Sequence, residues 1–294
     1  MLSAGTSLDT ASRGEARSIT CGGIDWHIQL HGPTTGSTIL LLHGTGASAH
    51  SWRHVAPILA RRHRLLIPDL PGHGQTRARS TADLSLNGMV SALRILTGAL
   101  GFAPDVIIGH SAGAAIAITL AARLSPAPRL TIGINGAFLP IRGARVFSPM
   151  AKLLFANPLS APVFALLNRA TPLSDSLLQA TGSAIDAEGQ QVYRQLLRTP
   201  AHLKGALGMM AAWDLNPFAS QLRAFAAPLV LIAARDDPMV PCSNSHYAAA
   251  LAPQARLVLA AKGGHLLHEI APDPVCDWIE EAMARTITDK AGAA

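Results

Sequence analysis

Short apolar runs recur along the chain and alternate with segments of helical length. Two alternating runs at residues 18–21 and 24–30 flank Gly22-Gly23 and predict a β-hairpin. Continuous apolar runs of strand length follow at residues 38–42, 64–67, 106–108, 130–134, 229–233 and 256–259. Helical segments lie between them at residues 52–60, 84–100, 112–124, 243–251 and 273–285. The alternation predicts an eight-stranded, mostly parallel sheet with helices on both faces.

The alternation is interrupted once, between residues 136 and 222. This stretch has helical patterning broken by prolines, shows no clear strand run and holds five of the seven Phe residues. It begins after one core strand and ends before another. We therefore expect a helical cap, residues 136–222, inserted into a core made of residues 1–135 and 223–294.

Composition and charge change this picture little. The net charge is +6, but the basic residues are scattered, and the densest cluster, at residues 61–64, leads directly into an apolar run. That context favours a solvated helix end over a nucleic-acid surface, which needs a basic stripe with base-reading partners. We expect no nucleic-acid partner, while peripheral contact with an anionic membrane surface stays open.

The cysteines and the N-terminal residues bear on location. Cys21, Cys242 and Cys276 are widely spaced and match neither a disulfide framework nor a zinc pattern. The first 17 residues contain no apolar stretch typical of a signal peptide, and the longest apolar stretch, residues 112–122, is too short to cross a bilayer. We expect a cytoplasmic protein with no transmembrane segment.

The strongest chemical signal is the segment Gly109-His110-Ser111-Ala112-Gly113, which follows one strand run and opens an Ala-rich helix. A sharp strand-to-helix turn exposes the hydroxyl of the central serine, and flanking glycines let neighbouring backbone approach. The start of the helix favours negative charge that develops there. The pattern therefore predicts that Ser111 is a nucleophile.

A serine hydroxyl needs a base and an acid to become reactive. The loop after the last strand run contains Gly264-His265, so His265 is the expected base. The acid should follow the penultimate strand run, where Asp236 and Asp237 are adjacent. We favour Asp237, because it directly precedes the turn Pro238-Met-Val-Pro, and Asp236 stays open as the alternative.

Acyl transfer also requires donors for the oxyanion. One is expected from the backbone N–H of Ala112, the residue after the nucleophile. The other is expected from Thr45, in the loop that follows the third strand run. Loss of one such donor typically lowers turnover about 10²–10³-fold.

These motifs, together with the turn from Pro68 to Gly74, stand in the order seen in α/β-hydrolases, and the resemblance spans residues 18–288. A narrower resemblance rests on residues 42–52, 109–115, 135–137, 147–149 and 206–214. These stretches resemble the magnesium-chelatase accessory hydrolases encoded among bacteriochlorophyll-synthesis genes. The resemblance implies an α/β-hydrolase fold, a possible contact with magnesium chelatase and a role in bacteriochlorophyll assembly, without a defined reaction.

Two functional hypotheses follow. The first is a serine hydrolase, of carboxylester type, that acts on a large apolar substrate and requires neither metal nor organic cofactor. Its substrate site is expected to include His110, Phe138, Met209, Met210 and Trp213. The second is a non-catalytic protein on a hydrolase fold that binds a tetrapyrrole or assists the chelatase.

A tetrapyrrole is a candidate substrate because basic residues outnumber acidic ones in the cap, and arginines bind carboxylates well. The basic residues concerned are Arg142, Arg145, Lys152, Arg169, Arg194, Arg198 and Lys204. Simple packing of the cap onto the core explains its Phe and Met residues equally well.

Overall fold

The fold is built on one twisted sheet. A computed structural model describes residues 14–78, 82–139, 157 and 159–291. The strands are β1 Glu15–Cys21, β2 Ile24–His31, β3 Thr38–Leu42, β4 Arg64–Pro68, β5 Arg77–Ala78, β6 Val106–His110, β7 Leu130–Ile134, β8 Leu229–Ala234 and β9 Ala255–Ala260. They lie in the order β1-β2-β4-β3-β6-β7-β8-β9, and β5 pairs with β2. All eight predicted strands are present, and β5 adds a ninth.

Strand pairing explains why the apolar runs were visible. From β4 to β9 the neighbouring strands pair in parallel, whereas β1, β2 and β5 join by antiparallel pairing. Strands β6, β7 and β8 are buried along their whole length, which requires apolar side chains on both faces. Strand β5 has only two residues, one exposed and one half-buried, so no periodic pattern marks it.

The helices are close to the predicted segments. They are α1 Val55–Leu59, α2 Leu86–Ala99, α3 Ala112–Ala121, α4 Ser160–Ala170, α5 Leu173–Gln179, α6 Ala187–Leu197, α7 Pro200–Ala212, α8 Phe218–Ala224, α9 Ser243–Leu251, α10 Leu267–Ile270 and α11 Pro272–Ala291. The helix predicted at residues 52–60 is shorter in the structure, because Trp52 ends a 3₁₀ helix, Ala49–Trp52, and α1 begins only at Val55. Helix α11 continues to Ala291, beyond the predicted end at residue 285, through residues that include the good helix formers Lys290 and Ala291.

Two apolar layers hold these helices to the sheet. Leu40 and Leu42 of β3 belong to the layer that includes α2 and α3. The alternate residues Ile39 and Leu41 belong to the opposite layer, with α1 and α11. Side chains that alternate across a strand therefore fill both faces of the sheet. No helix in the described ranges is both long and apolar enough to cross a membrane.

Helices α4 to α8 follow β7 and precede β8. One of them, α6, is joined to the rest of the chain by hydrogen bonds to a buried ion pair. The guanidinium of Arg53 pairs with the fully buried carboxylate of Glu269. The hydroxyl of Tyr193, in α6, donates to the same carboxylate at 2.7 Å. Arg53 also donates to both carboxylate oxygens of Asp186, just before α6, at 3.0 Å each. One arginine thus joins α6 to the loop before α1 and to α10.

Removal of Arg53 should therefore destabilise the protein strongly. In Arg53→Met the buried carboxylate of Glu269 loses its cation, so we expect the free energy of unfolding to fall by about 3–5 kcal/mol in urea denaturation. Arg17→Met is the matched control, because Arg17 pairs with Glu15 at an exposed position, and it should leave the free energy of unfolding nearly unchanged. Equal losses in the two variants would contradict this account.

Candidate active site

Ser111 lies in a tight bend between β6 and α3. Its backbone has φ 53° and ψ −118°, in the left-handed half of conformational space that side chains rarely adopt. The bend leaves no space for side chains at the flanking glycines. A Cβ at Gly109 would lie 2.1 Å from the carbonyl oxygen of Gly113, and a Cβ at Gly113 would lie 2.5 Å from that of Leu42. The glycines of the motif are thus required by backbone packing, and the Ser111 side chain stays partly exposed.

The structure brings Ser111, His265 and Asp237 together from three loops at the same edge of the sheet. His265 Nε2 lies 3.1 Å from Ser111 Oγ, and His265 Nδ1 lies 2.8 Å from Asp237 Oδ2. If Nδ1 donates to the carboxylate, Nε2 is left to accept the serine proton. His265 and Asp237 are both buried, so little solvent competes for these bonds. The arrangement can therefore move a proton from a serine hydroxyl to an imidazole.

The two adjacent aspartates have different partners. Asp237 contacts His265 through Oδ2, while its Oδ1 accepts from the backbone N–H groups of Met239 and Val240 at 2.8 and 2.9 Å. Asp236 instead accepts from the N–H groups of Gly263 and Gly264 at 3.3 and 3.0 Å. Asp237 is thus the carboxylate in contact with the imidazole, and Asp236 holds the loop before it.

Asn135 is a site residue that sequence reasoning missed. Its side-chain N–H₂ donates to the carbonyl oxygens of Gly264 and His265 at 2.9 and 2.8 Å, and its Oδ1 accepts from the N–H of Ala234 at 2.8 Å. Its φ of 45° is the other left-handed non-glycine backbone in the described part of the chain. The sequence feature that could have indicated this role is a polar asparagine directly after the apolar run of β7. Asn135 fixes the loop of His265 from the sheet side.

Candidate oxyanion donors lie close to Ser111. The N–H of Ala112 is in the first turn of α3, where a helix has no internal acceptor for it. Gly44 is also adjacent, because a Cβ there would lie 3.0 Å from Ser111 Cβ. Thr45 follows Gly44 and donates through its hydroxyl to the sulfur of Met209 at 3.3 Å. Thr45 and Ala112 remain the predicted donors.

The residues predicted to bind substrate occupy varied environments. His110 is buried, and its Nε2 lies 2.8 Å from the carbonyl oxygen of His265, so it supports the loop of His265. Phe138 is buried and stacks on Phe218 with 5.9 Å between ring centroids. Met209 is fully buried, whereas Met210 is 43% exposed. Trp213 is half-buried and packs against the apolar layer of α2 and α3.

A cavity of about 580 Å³ lies between α5, α6 and the segment that joins them. Its lining residues are Asp175, Leu178, Gln179, Gly182, Ser183, Ala184, Ile185, Gln190 and Arg194. Arg194 pairs with Asp175 at 2.6 Å, so this guanidinium is already partnered by a carboxylate. Of the other basic residues considered for tetrapyrrole binding, Arg142, Arg145 and Lys152 lie outside the described residues, and the Arg169 side chain is not described.

Five buried histidines surround the loops of the site. Burial lowers the pKa of His43 and His110, and it lowers the pKa of His73 to about 4 and of His202 and His268 to about 3. The His268 ring lies between Trp52 and His110, with centroid distances of 4.6 and 4.4 Å. These imidazoles are therefore neutral and pack as aromatic rings near pH 7.

No group of three or more His, Cys, Asp or Glu side chains within the described ranges is arranged to hold a metal ion. All three cysteines are free, and burial raises the pKa of the Cys276 thiol to about 12. Thiolate chemistry at Cys276 is accordingly disfavoured.

Comparisons with known proteins agree with this architecture. The model of the alpha/beta hydrolase family matches residues 39–278. A relative named the magnesium-chelatase 30 kDa subunit, from Rhodobacter capsulatus, is 42% identical over 265 residues, which cover 88% of this chain and 92% of the relative. The 2-hydroxy-6-oxo-6-phenylhexa-2,4-dienoate hydrolase of Burkholderia cepacia is 27% identical over 263 residues, covering 82% and 85%.

Solved structures share the fold. The enol-lactonase of Burkholderia xenovorans LB400 superposes with a TM-score of 0.74 at 17% identity, covering 91% of this chain and all of the lactonase. A thermophilic esterase from Thermogutta terrifontis gives a TM-score of 0.73 at 21% identity, covering 92% and 99%. At these identities the likeness establishes the architecture alone.

The neutral state of His268 predicts how stability responds to acid. Unfolded histidine binds its proton near pH 6.5, whereas folded His268 stays neutral to about pH 3. The unfolded state therefore binds more protons in this window, and the free energy of unfolding falls as the pH drops below about 6.5. In His268→Phe, we expect this fall to be smaller in urea denaturation, by a difference that approaches about 1.4 kcal/mol per pH unit as the pH drops from about 6 to about 5.

The wild-type protein, measured over the same pH range, is the reference for this slope. An unaltered slope in His268→Phe would mean that burial does not keep this imidazole neutral.

Proposed function

Because the chain belongs to the α/β-hydrolase family, we propose that it is a serine hydrolase in which Ser111 is the nucleophile, His265 the base and Asp237 the acid. The observation that carries the proposal is the continuous series of hydrogen bonds from Ser111 Oγ through His265 to Asp237, at 3.1 and 2.8 Å. Both distances are within the range required of a base and its orienting acid.

The reaction would proceed through an acyl-enzyme. Ser111 Oγ forms a bond to the carbonyl carbon of an ester while its proton moves to His265 Nε2. The negative oxygen that develops is held by the N–H groups of Ala112 and Thr45. The carbon–oxygen bond to the leaving group then breaks, and the leaving group takes the proton from His265. Water then gives a proton to the same imidazole as its oxygen bonds to the acyl carbon. The bond from that carbon to Ser111 Oγ breaks, and Oγ takes the proton back from His265, which releases the acid.

Asp237 would keep His265 in the productive tautomer and stabilise the imidazolium that forms. Its position suits this role, because its second oxygen is fixed by two backbone N–H groups. The carboxylate is thereby oriented by the turn that follows β8 and does not depend on the imidazole for its position.

The proposed substrate is a carboxylester with a large apolar part. Residues 136–222 form a cap in this proposal, and the core comprises residues 1–135 and 223–294. The buried contact of Met209 with Thr45 brings apolar cap atoms beside the proposed oxyanion donor. The relative named as a magnesium-chelatase subunit supports a contact with magnesium chelatase. From this and the narrower sequence resemblance we propose a substrate among the tetrapyrroles of bacteriochlorophyll synthesis.

The same relative favours a second candidate function. In this alternative the chain is a non-catalytic protein that binds a tetrapyrrole or assists magnesium chelatase, and the relative's name favours the second role. The hydrogen-bonded series at Ser111 favours the hydrolase, because an accessory role alone does not require a base and an acid to be aligned behind a serine.

A fluorophosphonate probe tests the hydrolase proposal. We expect the wild-type protein to form a covalent adduct at Ser111, located by mass spectrometry of its peptides, and Ser111→Ala to form none. Asp237→Asn should lower turnover of a p-nitrophenyl ester about 10⁴-fold, because the wrong tautomer of His265 is then favoured. Asp236→Asn is the matched control and should retain far more activity. A wild-type protein that forms no adduct would end the proposal.

Complementation separates the two candidate functions. In a bacteriochlorophyll-producing strain that lacks this gene, we expect the wild-type chain to restore pigment and Ser111→Ala to fail, although it folds normally. The reason is that the substitution removes only the nucleophile. Full rescue by Ser111→Ala would favour the accessory role.

Titration with protoporphyrin, monitored by absorbance, tests tetrapyrrole binding. The absence of saturable binding would count against such a ligand.

A further inference from the structure

A short segment between α5 and α6, residues 181–183, contacts the loop that carries His265. We call it the clasp. The backbone N–H of His265 donates to the carbonyl oxygen of Thr181 at 2.8 Å. The base is thus bonded through its own backbone to the segment between β7 and β8, as well as to the sheet.

The hydroxyl of Ser183 binds the same loop on both sides of the base. It donates to the carbonyl oxygen of Gly263 at 2.7 Å and accepts from the N–H of Leu266 at 2.9 Å. A single hydroxyl therefore bridges the residues that precede and follow Gly264-His265. Both bonds have good hydrogen-bond lengths, and they use the donor and the acceptor capacity of one side chain.

The clasp also packs closely against both loops of the proposed triad. A Cβ at Gly264, where φ is 62°, would lie 2.5 Å from the carbonyl carbon of Gly182 and 2.6 Å from Ser183 Oγ. A Cβ at Gly182 would lie 3.0 Å from Pro238, the residue after Asp237. The segment therefore touches the loop of the base and the turn of the acid with little free space.

The loop of His265 is held from two opposite directions. On the sheet side, Asn135 and His110 both bond the carbonyl oxygen of His265. On the other side, Thr181 and Ser183 bond the N–H of His265 and its flanking residues. Loss of the clasp would leave the loop with its bonds to Asn135, His110 and Asp236, none of which involves the N–H of His265 or of Leu266, so the imidazole could shift relative to Ser111 Oγ.

We propose that Ser183 is a positioning residue for the reaction, which it supports by holding His265 in line with Ser111. The proposal rests on the proposed function. In this proposal the segment between β7 and β8 positions the base, in addition to covering the substrate. A misplacement of about 1 Å at a reacting group can lower turnover by about 10²-fold. Loss of two hydrogen bonds that hold this loop is therefore expected to lower the rate.

The test compares Ser183→Ala with two other variants. Ser183→Thr keeps the hydroxyl. Ser174→Ala removes a buried hydrogen bond of 2.8 Å to Asn168, between α4 and α5, and touches neither loop of the triad. Two readouts are needed: the kinetics of a p-nitrophenyl ester, and hydrogen–deuterium exchange of the peptide that contains residues 262–268.

In Ser183→Ala we expect kcat to fall about 10- to 100-fold with KM nearly unchanged, and exchange to accelerate in residues 262–268. Ser183→Thr should restore most of kcat, and Ser174→Ala should leave both readouts at wild-type values. Wild-type kcat in Ser183→Ala, or a loss in Ser183→Thr equal to that in Ser183→Ala, would overturn the proposal.

The exchange measurement separates this proposal from the proposed function. If the wild-type protein neither turns over esters nor reacts with the fluorophosphonate, the hydrolase proposal fails, and exchange still reports on the clasp. Unchanged exchange in Ser183→Ala would overturn the positioning role whatever reaction the site performs.

Discussion

The left-handed backbone of Ser111 is the constraint on which the site depends. A residue in that conformation turns the chain directly from β6 into α3, and the turn is feasible only because Gly109 and Gly113 leave room for neighbouring carbonyl oxygens. Such strain persists where surrounding structure over-determines it. Here the buried parallel strands on either side of β6 supply that support, and the consequence is that positions 109 and 113 have no space for a side chain.

Rigidity extends from this bend to the loop of His265. Asn135, Asp236 and His110 bind its backbone, so carbonyl and N–H groups that would otherwise be unpaired near the imidazole are satisfied. Uncharged histidines suit this setting, because a neutral ring packs as an aromatic group and can both accept and donate a hydrogen bond, as the rings of His43 and His202 do. A charged side chain at the same depth would need a buried partner of its own, as Arg53 has in Glu269.

Much of the fold was predictable because burial on both faces forces uninterrupted apolar runs. That constraint made β6, β7 and β8 visible as strands, and the family resemblance then ordered Ser111, Asp237 and His265. Strand β5 was not predicted, because two residues are too few to show an alternating pattern. The helix predicted at residues 52–60 was placed too early, because Trp52 ends the 3₁₀ helix Ala49–Trp52, α1 begins only at Val55, and both elements bury apolar residues.

The supporting residues of the site were harder to predict than its reactive groups. Asn135 and Ser183 act through hydrogen bonds to backbone atoms about 80 to 130 positions away, and such bonds place no motif in the sequence. His110 lies inside the motif around Ser111, but that motif does not indicate in which direction the His110 side chain points. The imidazole is turned to the carbonyl oxygen of His265.

The bonds from Thr181 and Ser183 to the loop of His265 have a consequence for protein engineering. Segments like that between β7 and β8 are natural units for exchange between relatives, since substrate choice is expected to reside there. In this chain such a graft would also remove hydrogen bonds that hold an imidazole in the host scaffold. A chimera would therefore need the donor's helices together with the recipient's residues 181–183, so that selectivity changes while the loop of His265 keeps its hydrogen bonds.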